Sequence, residues 1–442
     1  MAGRLKITGS AAAWIALALL VVPMFGSYFF DDMFSTVSNI FTDPSMLELG
    51  WGQAEYGKYT SGYSILCIFG GLVLCGMLLD KWGVRITGSI FVGLMVAGAA
   101  MVVWAITSGL PARQSLGVAW AGCMVFGLGS EIAGVAVTRS IAKWFKGRSM
   151  AFAMGLQLAI ARLGTAAAFL LSPVLIREKT GVYTLAETAR PAMAGLVLLL
   201  VGAVMWAVFV AMDARFDREK GLSDRVDTAE QDKFRFSDVL KVLGNRNWWL
   251  LALLCVFFYS SIVAFKKFSG AILEPRFGVS SQAASLMATI LPFSTVVFAP
   301  LFGLMVDRRG NGTRWMLFGA ALAFCAHLLI GFAPEGKPVF GYVSMILLGF
   351  SYSLVPAAMW PSVPKVIPER MLGTAFALIY WVQNIGLWAF KRFAGRILEN
   401  SAPVKVEIMF ICVCVAALVL AWLFMASSRR HPELSLDRPN GK

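Results

Sequence analysis

Charge is the scarcest commodity in this chain. Only 14% of its 442 residues are Asp, Glu, Lys or Arg, against 58% hydrophobic, and the mean hydropathy is +0.72. A water-soluble domain of this length needs far more charge to cover its surface, so a soluble globule is excluded. Histidine is scarcer still. His327 and His431 are the only two, which removes a His-rich metal cluster and leaves no Ser-His arrangement. Paired catalytic aspartates and a phosphate-binding loop are also missing, so the sequence offers no catalytic residue, no metal site and no cofactor, and an enzyme is not expected. All seven cysteines fall inside apolar runs, where they behave as small buried hydrophobes and imply no disulfide framework. The one glycosylation sequon, Asn311-Gly312-Thr313, lies in a segment assigned below to the cytoplasm and is expected to be silent.

What the chain has instead is a series of apolar runs of roughly 20 residues, the length of helix that crosses about 30 Å of hydrocarbon. They are read at 11–37, 60–80, 86–108, 116–142, 149–176, 191–212, 247–268, 282–305, 314–334, 339–364, 371–395 and 404–427. The first is too long for a signal-peptide core and has no small-residue cleavage pattern after it, so it is read as a span.

The net charge of +14 raises a nucleic-acid partner, but placement argues against it. Lys81, Arg85, Lys143, Lys146, Arg148, Arg308, Arg309, Lys365, Arg370, Arg429 and Arg430 fall in alternate loops and at one end. The hydrophilic stretch 213–246 adds Arg215, Arg218, Lys220, Arg225, Lys233, Arg235 and Lys241 to the same side. This asymmetry orients a multi-pass protein in the cell (inner) membrane with both termini cytoplasmic, and the partner of the basic residues is the lipid bilayer. No nucleic acid is expected.

The stretch 213–246 has six runs on either side, which divides the chain into an N-terminal six-helix bundle (1–212), a cytoplasmic linker (213–246), a C-terminal bundle (247–428) and a cytoplasmic tail (429–442). An internal repeat supports the division. The loop sequence Gly76-x-x-x-Asp80-Lys81-x-Gly83-x-Arg85 is echoed by Gly303-x-x-x-Asp307-Arg308-x-Gly310, and Arg148 and Gly164 recur as Arg370 and Gly386 at nearly the same offset. The glycines permit a tight turn, and the acid beside a helix end with its basic neighbours can make a charge-assisted gating latch that breaks when the halves rock; the alternative is a basic loop that only fixes topology.

Ionisable residues inside a span are costly, and each is a functional candidate unless it reaches the interface. Lys266, Lys267, Lys391 and Arg392 lie near the outer boundary by residue count and are expected to snorkel. Glu131 and Arg162 are different. Counted from Lys143 and Arg148, both sit about 20 Å from the inner surface, on neighbouring spans and at one depth. They either neutralise each other or hold the two charged ends of a zwitterion. Their counterparts in the second half, Ser353 and Asn384, carry no charge, so the fold itself does not demand them. Asp31 and Asp32 are adjacent at the end of the first run, so only one can comfortably face a cavity, and Asp32 is the candidate. The alternative is a helix end exposed to outer water. The second half offers Tyr352, Trp360, Tyr380, Trp381, Gln383 and Asn384, either pocket-lining groups or packing and interface anchors. Trp360 stands out because Pro356, Pro361 and Pro364 interrupt its run.

The paired loop motif resembles the signature of the major facilitator superfamily, and the resemblance covers essentially the whole chain. More specific stretches, among them Phe25-Gly26-Ser27-Tyr28-Phe29, Gly127-x-Gly129-x-Glu131, Gly155-Leu156-Gln157-Leu158, Ala161-Arg162, Trp360-Pro361 and Gln383-Asn384-Ile385-Gly386, resemble its branch of lysosomal dipeptide transporters and their bacterial relatives. The resemblance implies an all-α membrane protein with the twelve-helix fold of two pseudo-symmetric six-helix bundles. It further implies dipeptide uniport by alternating access, with Glu131 and Arg162 at the peptide termini; by their chemistry Tyr352, Gln383 and Asn384 could meet its backbone groups. Lys266, Lys267, Lys391 and Arg392 depart from that branch. The rival within the transport class is a proton-coupled symporter of peptides or small organic anions, although the first run lacks the Glu-x-x-Glu-Arg pattern of proton-dependent oligopeptide transporters.

Overall fold

A computed structural model describes residues 10–43, 49–146, 149–176, 183–220 and 236–439, with backbone alone at 10, 72–77, 80, 151, 236, 237 and 370. Among these residues the chain is helical and contains no strand. Ten helices are long and apolar enough to cross a membrane. The two further crossings are a broken helix and a polar one. α1 (Ser10–Asp32) is followed by α2 (Gln53–Leu66), which passes through an irregular turn at Cys67–Gly71 into α3 (Leu72–Thr107). α3 reverses direction at Gly83, whose φ of 79° is open to a residue without a Cβ, so its two arms are separate crossings. α4 (Ala112–Trp144), α5 (Met150–Leu175) and α6 (Arg190–Lys220) complete the first bundle.

The second bundle runs α7 (Arg246–Lys267), a short α8 (Ser269–Phe277), α9 (Ser281–Arg309), α10 (Gly312–Phe332), α11 (Pro338–Met359), α12 (Leu372–Asn400) and α13 (Pro403–Arg430). The stretch expected as linker is partly helical: α6 continues to Lys220 and Phe236–Leu243 forms a helix, while 221–235 lies outside the described residues.

The helices present two unlike faces. Lys143, Arg218, Lys220, Arg308, Arg309, Arg429 and Arg430 all stand in last turns at one of them, called here the basic face. At the opposite face the two bundles meet. α2 begins several residues before its apolar run because Gln53, Tyr56 and Tyr59 are buried against protein and need no lipid-like hydropathy. It packs on α12 so closely that a Cβ at Gly57 would lie 2.8 Å from the Lys391 carbonyl and 3.1 Å from the Gly395 Cα.

Candidate functional site

The mid-depth charges are placed by α4 and α5. Glu131 is half-buried, and its Oε1 accepts a hydrogen bond from the Tyr63 hydroxyl at 3.1 Å. That hydroxyl also lies 3.1 Å from Ser130 Oγ, which is 2.6 Å from Ser27 Oγ. Arg162 is likewise half-buried and lies between two aromatic faces, 5.6 Å from the Tyr28 ring and 4.9 Å from the Tyr352 ring. Tyr28 belongs to α1 and Tyr352 to α11, so the guanidinium stands where the bundles face each other, held by cation–π attraction. Glu131 and Arg162 form no ion pair with each other or with any other described residue.

From Tyr352 an aromatic relay runs across the second bundle. Its ring meets that of Tyr259 edge-on at 5.9 Å, Tyr259 accepts a hydrogen bond from Trp360 Nε1 at 3.1 Å, and Trp360 stacks on Tyr380 at 5.1 Å. Tyr380 and Trp381 are exposed at mid-depth. Trp381 donates from Nε1 to the Ile68 carbonyl at 2.7 Å, supplying a partner to backbone in the irregular turn after α2. Asn384 is buried and bonds the Tyr380 carbonyl at 3.0 Å, whereas Gln383 is buried with its Oε1 unpartnered. Tyr63 and Tyr259 escaped the sequence reading, and Tyr28 entered it only as part of a family stretch, without a role.

Asp32 is committed to neighbouring side chains. It is buried, with Lys266 Nζ 2.7 Å from Oδ2, Lys267 Nζ 2.8 Å from Oδ1, and Thr165 Oγ1 donating at 2.7 Å. Lys267 also pairs with Asp31 at 2.7 Å and donates to the Asp31 carbonyl. The expectation that Lys266, Lys267 and Lys391 snorkel is therefore corrected. All three are buried between bundles, because α1 and α7 end side by side and supply each other's counter-charge. Lys391 reaches the Thr60 carbonyl at 3.3 Å and lies over the Tyr63 ring at 5.5 Å.

Of the gating motif, the side chain of Asp80 lies outside the described residues, as do the surroundings of Gly76. Lys81 and Arg308 are exposed. Arg85 pairs inside its own bundle with Asp217 at 2.9 Å and Asp213 at 3.6 Å of α6, where Lys143 and the Trp144 indole also converge. In the second copy Gly310 keeps a positive φ of 65°, Asp307 is exposed, and the carboxy-terminal segment lies against Gly310.

Residues 24–390 match the family model described as Major Facilitator Superfamily. The chain is 28% identical over 428 residues to the protein named lysosomal dipeptide transporter MFSD1 of Homo sapiens, covering 95% of this chain and 88% of that one. Identity to the protein of that name in Bos taurus is 29% over 432 residues, with 95% and 87% covered. Among solved structures, the fold superposes on the inward open conformation of the xylose transporter XylE from E. coli with a TM-score of 0.71 at 13% identity, covering 94% of this chain and 95% of that one. The nucleoside transporter NupG gives a TM-score of 0.68 at 16% identity, with 93% and 98% covered. With twelve crossings in two bundles, and a family match spanning most of its length, the chain belongs to the Major Facilitator Superfamily.

Proposed function

We propose that this membrane transporter moves dipeptides by alternating access as a uniporter, in a cell membrane with the basic face and both termini toward the cytoplasm. The observation that carries the substrate reading is the pair Glu131 and Arg162, one acid and one guanidinium at mid-depth, neither spent on an ion pair. A carboxylate suits a peptide's ammonium, and a planar guanidinium suits its carboxylate. Gln383, whose buried Oε1 lacks a partner, and Asn384 are amides suited to the peptide group between those ends. Tyr352 and Trp360 supply apolar faces that tolerate varied side chains. The name carried by the relatives at 28–29% identity supports this class of cargo.

Alternating access is supported by where the bundles bond. Between described residues, the inter-bundle hydrogen bonds and ion pairs run from mid-depth, at Trp381 and Ile68, toward the opposite face. Toward the basic face there are none. With the basic face cytoplasmic, as the positive-inside rule places it, this is an inward-facing state. The gating motif, Gly76, Asp80, Lys81, Gly83, Arg85, Asp307 and Arg308, lies at that face and is proposed to hold it shut in the other half of the cycle.

The test is counterflow of a labelled dipeptide in liposomes with no pH gradient. Exchange is expected in the wild type and is lost in Arg162→Ala and in Glu131→Gln, with both variants still folded. Strict dependence on a gradient replaces uniport with proton symport. Carriage of single carboxylates that needs Arg162 but not Glu131 replaces the dipeptide with a small organic anion.

A further inference from the structure

A groove of about 360 Å³ opens on the flank of the molecule between α2, α4 and α12, lined by Ile65, Trp120, Trp388, Phe393, Arg392 and Arg396. Its chemistry changes with depth. Arg396 lies four residues from the opposite-face end of α12 and Arg392 eight, which is about 6 and 12 Å at 1.5 Å per residue. Trp388 and Ile65 lie deeper, at about 18 Å. Cations thus stand where a bilayer places its headgroups and glycerol, and apolar walls stand where it places acyl chains.

The cations lack counter-charges. Arg392 and Arg396 are one turn apart on the same helix face, so each faces a like charge. Lys58 lies over the Trp120 ring at 5.2 Å, and Arg392 over the Trp388 ring at 5.9 Å. None of these three cations forms an ion pair among the described residues. The indole N–H groups of Trp120 and Trp388 also have no acceptor among the described residues. The nearby acid Glu399 is committed elsewhere, to the backbone N–H groups of Gln53 and Ala54.

We propose that this groove binds an anionic glycerophospholipid, its phosphodiester held by Arg392 and Arg396 and one acyl chain lying along Trp120, Trp388 and Phe393. Two adjacent guanidiniums, Arg392 partly buried and Arg396 exposed, favour a phosphate diester over a zwitterionic headgroup, whose own ammonium competes for the phosphate. Ile65 and Trp120 come from the first bundle and α12 from the second, so the groove exists while the bundles are closed at this face. A lipid that binds only this arrangement stabilises it by linkage.

Native mass spectrometry of the purified full chain tests the proposal, with phosphatidylglycerol, phosphatidylcholine and soluble glycerol 3-phosphate offered separately. Phosphatidylglycerol is expected to bind at least tenfold more tightly than phosphatidylcholine, and Arg392→Gln/Arg396→Gln is expected to erase that preference while unfolding normally in phosphatidylcholine nanodiscs. Equal retention of the two lipids by the wild type overturns the proposal without recourse to any variant. So does an undiminished preference in the double variant. Binding of glycerol 3-phosphate as tight as that of the lipid makes this a site for a free anion and removes the acyl chain from it. The readout is lipid retention, so it stands or falls separately from dipeptide flux.

Discussion

The two ends of the molecule spend their charge in opposite ways. At the opposite face, Asp31 and Asp32 of the first bundle are neutralised by Lys266 and Lys267 of the second, and Glu399 of the second bundle caps the start of α2 in the first. At the basic face, the ion pairs among the described residues lie within one bundle. Asp213 and Asp217 gather Arg85 and Lys143 within the first. In the second, Asp437 of the carboxy-terminal segment accepts from Thr313 and Ser428. The glycines repeat the contrast. Gly57, Gly270 and Gly395 press on backbone of the other bundle, whereas Gly155, Gly303 and Gly373, near basic-face ends, have open space where a Cβ would stand. A seam made of inter-bundle charge opens only by exposing that charge to water, whereas among the described residues the ion pairs at the basic face lie within one bundle and need not break when the bundles part. The difference is therefore one of conformation as much as of stability.

The largest break in that contrast is expected from Lys267→Met. It leaves Asp31 and Asp32 sharing Lys266 in a buried seam, and removing one partner of a buried pair costs about 3–5 kcal/mol. Unfolding temperature in detergent should fall sharply, and the double variant Asp32→Asn/Lys267→Met should recover much of the loss, because the coupling is pairwise. An additive double variant would mean the lysine packs rather than pairs. Next in size is Gly395→Leu, which inserts side-chain atoms against the backbone of Gln53 and Gly57. Overpacking of about 1–3 kcal/mol falls on the closed seam alone, so a cysteine introduced at Ser269 should label faster, with the fold intact. Arg85→Gln is expected to cost about 1–2 kcal/mol, since its partners are buried but the arginine is partly solvated. Labelling at the opposite face should stay unchanged, and a change there would show that the basic-face network is not confined to its bundle.

The sequence carried the crossings and the mid-depth pair because both are properties of single helices: apolar run length, and residue count from a basic end. It failed where an answer needs two helices at once. Lys266 and Lys267 were expected at the lipid interface on depth alone, yet depth is silent on which way a helix is turned and what faces it. A signal did exist. Adjacent acids close the first crossing of one bundle and adjacent lysines close the first crossing of the other, at equivalent places in the repeat, so opposite charge at symmetry-related ends could have been matched. The crossings through α2 and α12 were hard to bound for a related reason. They pack on each other, and their polar residues, Gln53, Gln383, Asn384 and Lys391, are buried by protein, so hydropathy understates how enclosed they are. Tyr28 and Tyr63 emerged only with the fold, because an aromatic in a span has no address until its neighbours are known.

The smallest change tests the contrast most finely. Glu399 accepts from the backbone N–H of Gln53 at 2.5 Å and of Ala54 at 3.2 Å, placing a negative charge at the positive end of α2. It reaches there across the seam, so this cap forms only when the opposite face is closed. The helix also keeps a local cap, the Glu55 side chain accepting from Gly52 N–H at 3.0 Å, which travels with α2 when the bundles part. Glu399→Gln retains an acceptor oxygen but removes the charge, a loss of about 0.5–1 kcal/mol. Because that loss applies to the closed arrangement and not to the open one, it should leave the unfolding temperature nearly unmoved while raising the open population by about two- to fivefold, at 1.4 kcal/mol per tenfold. Labelling at Ser269→Cys reads that population directly. Glu55→Gln should do the reverse, lowering stability a little and leaving labelling alone, since its cap is the same in both states.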